Sequence, residues 1–186
     1  MSRQTKQMGG WGLIVALVGG VLALVLPLVW VVALVGWVIA IIGYVKASEE
    51  YGEPGIKTNT LIAIAFIITS WVVMLLGGGA MMAGMMSTMM GGGDMGMAIG
   101  GAGILGLLVG WVLSVAAGWF WYKANSLLAR RSGLNLFSIG GLLFFIGEIL
   151  TVIFVGGILL LAGFVVLIVA WFTVQEEAGQ AETSPS

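Results

Sequence analysis

The fold is decided by residues 8–45, an uncharged stretch with the sequence MGGWGLIVALVGGVLALVLPLVWVVALVGWVIAIIGYV. A single α-helix of this length would measure roughly 57 Å, whereas the hydrocarbon core of a bilayer is about 30 Å thick. The stretch must therefore fold back on itself. Pro27 lies at its midpoint, where a helix would lose a hydrogen-bond donor and clash with its preceding turn. We predict a hairpin of two transmembrane helices, residues 9–26 and 28–46.

The rest of the chain contains four more predicted spans. The polar stretch 47–55 ends the first hairpin with residues that break helices. The last apolar run, residues 134–175, contains one charged residue, Glu148, and is too long for a single span. We predict a second fold-back at Gly156 and Gly157. The six predicted spans are residues 9–26, 28–46, 59–76, 99–122, 135–153 and 158–174.

Three further segments complete the predicted organisation. The fourth helix is expected to continue to Arg131, with Gly133 as a left-handed cap. The Gly- and Met-rich residues 77–97 form an extracytoplasmic segment, and the polar tail 178–186 is predicted to be a disordered cytoplasmic tail. Residues 1–177 are predicted to form a single all-α domain, a polytopic transmembrane helical bundle built as three hairpins.

The composition supports this class and excludes several kinds of chemistry. The chain is 60% hydrophobic and 8% charged, whereas soluble domains are about 45–50% apolar and about 25% charged. Its mean hydropathy is +1.15. The absence of His and Cys excludes haem-ligating histidines, thiolate clusters, Cys/His zinc sites, disulfides and Ser-His catalysis. A net charge of −1 gives no reason to expect nucleic-acid binding.

The positive charges predict how the chain is threaded. With six spans, both termini, the second-to-third loop and the fourth-to-fifth loop lie on one side, and the other side carries only Asp94. Because Lys and Arg are retained in the cytoplasm, we predict a multi-pass plasma-membrane protein with both termini cytoplasmic. The basic residues on that side are Arg3, Lys6, Lys46, Lys57, Lys123, Arg130 and Arg131.

The first and last hairpins show an internal repeat at a constant offset in residue number. Gly20 matches Gly147, and Gly36 matches Gly163. Both copies enter the membrane from the same side, so the repeat is parallel; chance is the alternative, because Gly and Leu are abundant in this chain. Further matches pair Leu34 with Leu161 and Glu49–Glu50 with Glu176–Glu177.

Two regions of the chain resemble a known family. Residues 131–157, RSGLNLFSIGGLLFFIGEILTVIFVGG, look like the C-terminal half of an uncharacterised, mainly archaeal family of integral membrane proteins, catalogued as domain of unknown function nine-nine-six. Residues 9–45 are similar to the opening hairpin of that family, whereas residues 77–97 depart from it. The resemblance implies a six-span membrane fold and no known activity, so no functional residue is transferred.

Glu148 is the one acidic residue inside a predicted span. A charged carboxylate at mid-membrane costs several kcal/mol, so this side chain must be protonated, paired or facing water. Thr151 is its expected polar neighbour, and the repeat places Val21 at the corresponding position, so the hairpin itself does not require an acid. Three interpretations are open: an interhelical hydrogen bond from a protonated Glu, a proton or cation relay, and a salt bridge to a partner subunit.

Small residues recur every four positions along the fourth helix. Helices in lipid associate by close backbone approach, which small residues permit. We expect a helix-packing surface, either within the bundle or against another subunit. Its residues are Ala98, Ala102, Gly106, Gly110, Ser114 and Gly118.

Three pairs of methionines, spaced by four residues, follow the third span. On a helix they would form a stripe of thioethers, which are soft ligands suited to Cu(I). The alternative is a Met/Gly stretch lying at the membrane surface, or a low-complexity loop. The paired residues are Met81, Met82, Met85, Met86, Met89 and Met90.

Aromatic residues cluster near the predicted span ends. We predict that these residues are interfacial anchors, because amphipathic rings prefer that depth. The predicted anchors are Trp11, Tyr44, Trp119, Trp121, Tyr122 and Trp171 at the cytoplasmic ends, and Trp30 and Trp71 at the outer ends. No cofactor is needed to explain them.

These features favour a non-catalytic accessory, scaffold or assembly subunit. Transport paths usually need several converging polar groups, and the predicted spans offer one acid. A small transporter or channel with Glu148 as its proton or cation group is therefore the alternative and not the first choice. Extracytoplasmic Cu(I) binding by the cluster Met81–Met97 is another. We expect no enzymatic activity and no cofactor. The expected partners are membrane lipid and other membrane subunits or a second copy, without nucleic acid.

Overall fold

A computed structural model of the chain describes residues 1–23, 25–91, 93–153 and 155–175. These residues form six α-helices and no strands, and each helical segment is long and apolar enough to cross a bilayer. The prediction of an all-α, six-span membrane protein is confirmed, whereas the predicted tail 178–186 lies outside the described residues. The helices are α1 Arg3–Ala23, α2 Trp30–Glu50, α3 Pro54–Met89, α4 Gly93–Ser132, α5 Leu136–Leu150 and α6 Val155–Thr173.

The helices belong to two compact units, where the sequence predicts one domain. The first unit comprises Met1–Thr60 and Trp121–Ser186, and therefore contains α1, α2, α5 and α6 with the beginning of α3 and the end of α4. The second unit, Leu61–Phe120, is the antiparallel pair formed by the rest of α3 and α4.

The two predicted fold-backs have different outcomes. A short 3-10 turn, Pro27–Val29, separates α1 from α2, as the position of Pro27 predicts. The second reversal occurs at the 3-10 turn Thr151–Ile153, before the predicted glycines. Gly156 is buried in the first turn of α6, where a Cβ atom would overlap the backbone of α5, and Gly157 is exposed. The predicted turn position is wrong because Gly156 permits close helix contact instead.

Residues 77–97, predicted as a segment between two spans, are mostly helical. α3 continues to Met89 and α4 begins at Gly93, with Gly91 between them at a φ of +91°. Glycine lowers helix propensity by about 1 kcal/mol relative to alanine. Close packing offsets this loss: a Cβ atom on Gly77 would meet the α4 backbone within about 3 Å.

The end of α4 agrees with the sequence. The helix extends through Arg130 and Arg131 to Ser132, and Gly133 follows with a φ of +72°. This left-handed conformation favours glycine and ends the helix. A tight corner, residues 133–135, then leads into α5.

Small residues repeat every seven positions along the helix contacts. A spacing of seven corresponds to 3.5 residues per turn, the period that keeps one seam of a helix against its partner. In the second unit, buried small residues from both helices form this seam. They are Ala63, Ser70, Gly77 and Gly84 of α3, and Gly96, Gly103, Gly110 and Ala117 of α4.

The hairpins α1–α2 and α5–α6 in the first unit share one pattern of glycine contacts. Residues of α1 correspond to residues of α5 at one constant difference in residue number, as for Gly12 and Gly140. Residues of α2 correspond to residues of α6 at a difference that is smaller by one, as for Ala40 and Leu167. The predicted match of Gly36 with Gly163 fits this register, but Gly19, not Gly20, occupies the position of Gly147. The corresponding pairs are Gly12–Ala40 with Gly140–Leu167, and Gly19–Ala33 with Gly147–Leu160.

Candidate functional site

Glu148 lies on the buried side of α5. Its side chain is only 9% exposed and takes part in at least one polar or electrostatic interaction. The Thr151 hydroxyl donates a hydrogen bond to the carbonyl oxygen of Gly147 at 2.8 Å and so caps the last turn of α5. In the contact register of the two hairpins, Glu148 corresponds to the exposed Gly20 and not to Val21. The hairpin architecture therefore leaves the role of this acid open.

The small-residue stripe of α4 lies partly at the contact with α3. A Cβ atom on Gly106 would meet the backbone of Gly77 at 2.9 Å. Ser70 of α3 donates a hydrogen bond to the carbonyl oxygen of Gly110 at 2.7 Å, which links the two helices. The residues of α4 that contact α3 repeat every seven positions. Residues spaced by four therefore turn progressively away from that contact along the helix. Of the predicted residues, Gly110, Ser114 and Gly118 are buried, Gly106 is half-buried, Ala102 is exposed, and the Ala98 side chain lies outside the described residues.

The paired methionines lie at the far end of α3 and in the turn that follows. From Leu61 to Met89 the helix measures roughly 44 Å, so it is longer than the hydrocarbon core by about 14 Å. Met82, Met86 and Met89 are 74%, 60% and 85% exposed. Their spacing of four and three residues places them on one helical face. The other paired residues, Met81, Met85 and Met90, are 36%, 56% and 75% exposed.

Polar residues tie together three segments at one end of the first unit. The backbone N–H of Ser2 and the hydroxyl of Thr5 donate to the Glu50 carboxylate at 2.7 and 2.6 Å. Arg131 donates from Nε and Nη2 to one oxygen of Glu53, at 3.0 and 2.7 Å. These hydrogen bonds hold the pKa of the Glu53 carboxyl below its usual value. The start of α1, the α2–α3 connection and the end of α4 thus share one end of the unit.

Sequence reasoning missed the buried polar link between α2 and α4. Tyr44 is fully buried, and its hydroxyl donates to Oδ1 of Asn125 at 2.7 Å. Asn125 in turn donates to the carbonyl oxygen of Trp121 at 2.8 Å. The only signal in the sequence was the amide of Asn125 on the predicted extension of the fourth helix.

Three aromatic residues predicted as interfacial anchors form part of a core. Tyr44 and Trp171 are completely buried, and Trp121 is 4% exposed. The Tyr44 ring lies 4.8 Å from that of Trp121 and 5.2 Å from that of Trp171, between centroids. The anchor prediction is wrong for these residues because helix ends near the interface also pack against one another.

The fold defines the class: six apolar helices make this a multi-pass membrane protein. Residues 32–172 match the family described as Protein of unknown function (DUF996), and the chain belongs to that family, which confirms the resemblance. The chain is also similar to Uncharacterized protein MJ1644 of Methanocaldococcus jannaschii, at 32% identity over 74 residues. The match covers 40% of this chain and 42% of the length of that relative. No solved structure matches the chain.

Proposed function

We propose that this protein is a non-catalytic accessory, scaffold or assembly subunit of the plasma membrane. One observation carries the proposal: two buried side-chain hydrogen bonds each fix one helix against another. Tyr44 binds Asn125, and Ser70 binds the Gly110 carbonyl oxygen. A transport path needs polar groups that converge on a passing ligand, whereas these groups are engaged with the protein itself.

Both termini are proposed to be cytoplasmic. The polar contacts of Ser2 with Glu50 and of Arg131 with Glu53 support this topology, because they place the loops that carry most basic residues at one end of the first unit. The chain has no native Cys, so single cysteines can be introduced at Ser2 and at Ser132. We expect an impermeant thiol reagent to label both only after the cytoplasmic face is opened. Labelling of the two from opposite faces would contradict the topology.

The functional test compares partner retention with ion flux. The full chain is purified in a mild detergent and, in parallel, reconstituted into proteoliposomes. We expect a stoichiometric membrane partner to be retained and no proton or cation flux above that of empty liposomes. Flux abolished by Glu148→Gln but retained in Thr151→Val would contradict the proposal and support the transporter alternative, which the burial of Glu148 inside a span favours.

Cu(I) binding is a second candidate function, favoured by the exposed thioethers of Met82, Met86 and Met89 on one face of α3. Its test is competition of the purified protein with a Cu(I) chelator. Replacing these three residues with leucine should weaken Cu(I) binding at least tenfold, whereas Met97→Leu, at another exposed methionine, should leave it unchanged. Equal affinity of the triple variant and the unchanged protein would eliminate this face as a copper site.

A further inference from the structure

A pocket of about 370 Å³ lies at the corner between the end of α4 and the start of α5. Its wall includes the guanidinium-bearing Arg130, the hydroxyl-bearing Tyr122, Ser126 and Ser138, and the amide of Asn135. Arg130 and Asn135 are exposed, whereas the three hydroxyl-bearing residues are half-buried. Polar donors therefore surround a recess at the end of otherwise apolar helices.

The charge of this pocket is positive. Arg131, the neighbouring cation, is engaged in the ion pair with Glu53, with 2.7 Å between Nη2 and Oε2. Arg130 lines the pocket and also lies near enough to Glu53 to help lower the pKa of that carboxyl, and none of the described residues in the pocket wall is acidic. An arginine with adjacent hydroxyl and amide donors is suited to a phosphate group, because guanidinium and phosphate form paired, charge-assisted hydrogen bonds.

Three donors of the pocket, on Ser126, Ser138 and Asn135, are available to a ligand. The hydroxyls of Ser126 and Ser138 face each other at 3.5 Å, which is the outer limit of a hydrogen bond. Asn135 stands at the N-cap of α5 without a side-chain capping bond. Each of these groups can turn towards an oxyanion without breaking a short hydrogen bond.

Exposed apolar side chains follow Ser138 along α5. Ile139 is 43% exposed and Leu142 is 41% exposed, one position and four positions beyond Ser138. A ligand with a phosphate group and hydrocarbon chains would contact both surfaces at once. We propose that this corner binds the phosphate group of an anionic phospholipid, with Arg130 as the main charged contact.

The test measures binding through thermal unfolding of the full chain in detergent, followed by tryptophan fluorescence. Phosphatidylglycerol, phosphatidylcholine and inorganic phosphate are added separately at constant ionic strength. We expect phosphatidylglycerol to stabilise the protein, and Arg130→Gln to weaken its apparent affinity about tenfold, which corresponds to the loss of one charge-assisted contact. Ser126→Ala with Ser138→Ala should weaken it less.

Arg3→Gln is the matched control, because it removes an exposed positive charge from the same end of the unit. This variant should bind phosphatidylglycerol as the unchanged protein does. Arg130-dependent stabilisation by inorganic phosphate as well would support the phosphate site and identify a soluble source of the group. Equal loss in Arg130→Gln and Arg3→Gln, or stabilisation that does not depend on Arg130, would overturn the proposal.

Discussion

The α1–α2 and α5–α6 hairpins place glycines at corresponding positions against different kinds of neighbour. A Cβ atom on Gly12 of α1 would overlap main-chain atoms of Ala40 in α2. At the corresponding Gly140 of α5, the first atoms met belong to the side chain of Leu167, at 2.8 and 2.9 Å. At this position the first hairpin is held by backbone-to-backbone contact, whereas in the last hairpin the nearest atoms belong to a side chain.

The comparison of the two hairpins distinguishes residues that their shared packing requires from a residue that it does not require. Both hairpins need small residues at seven-residue spacing, because close approach drives association in lipid. Glu148 has no acidic counterpart in the first hairpin, because the corresponding residue there is Gly20. Gly20 is exposed, with open space around its Cβ position. A residue that the shared architecture does not require is a stronger candidate for function than one that it does.

The largest expected effect is that of Gly36→Leu in the first hairpin and Gly163→Leu in the last. A side chain at either position would overlap the backbone of the facing helix, at Ala16 or at Phe144. Overpacking of this kind costs about 1–3 kcal/mol, and more where the backbone cannot move. We expect a clearly lower unfolding midpoint in detergent for both variants. Gly20→Leu, with no atom near its Cβ, should behave as the unchanged protein, and an equal loss there would contradict the shared register.

A smaller effect should distinguish the two hairpins. Gly12→Ala adds one methyl group against a fixed backbone, so we expect it to lower the free energy of unfolding by about 1–3 kcal/mol. Gly140→Ala meets Cγ and Cδ2 of Leu167 at 2.8 and 2.9 Å and the Leu167 backbone N at 3.1 Å, so it should lower the free energy of unfolding by less than Gly12→Ala does. Denaturant titration of both variants measures the difference. If Gly140→Ala were the more damaging of the two, the contrast between the seams would be lost.

The third prediction concerns Tyr44, whose counterpart in the repeat of the two hairpins is Trp171. Both are completely buried, but only Tyr44 donates a hydrogen bond to Asn125. Tyr44→Phe should lower the free energy of unfolding by about 1 kcal/mol, because it leaves the buried amide oxygen without its donor. A double-mutant cycle with Asn125→Leu measures the coupling. Additive losses in the double variant would show that the hydrogen bond contributes nothing.

The smallest effect is the pH dependence of the Glu53–Arg131 ion pair near the end of the first hairpin. The pKa of Glu53 is lowered in the folded protein, so the pair stabilises the fold above the ordinary carboxyl pKa and is lost as pH falls through the lowered value. Glu53→Gln should therefore be slightly less stable than the unchanged protein at about pH 7, and the difference should shrink as the pH falls below the ordinary carboxyl pKa. Glu49→Gln removes a nearby exposed carboxylate and is the control. A stability difference between Glu53→Gln and the unchanged protein that does not change with pH would show that the ion pair does not stabilise the fold.

The spans, the fold-back at Pro27 and the Gly133 cap were predictable because each depends on local chemistry. An uncharged run sets span length, Pro breaks a helix, and a positive φ favours Gly. Gly156 was assigned to a turn because glycine serves both in turns and at close contacts, and the sequence does not distinguish these uses. The stripe on α4 was assigned a period of four for a related reason. The seven-residue period appears only when Gly103 and Gly110 are seen against α3.

The amino-acid sequence by itself determined that this chain resides in lipid, how many times it can cross, and which family it resembles. Only the tertiary structure decided which face of each helix meets another helix. The physical reason is that a membrane helix is apolar on every side, so hydrophobic periodicity does not mark its buried face. The burial of Tyr44 against Trp171, and the corner pocket beside Arg130, therefore emerge only when the helices are packed.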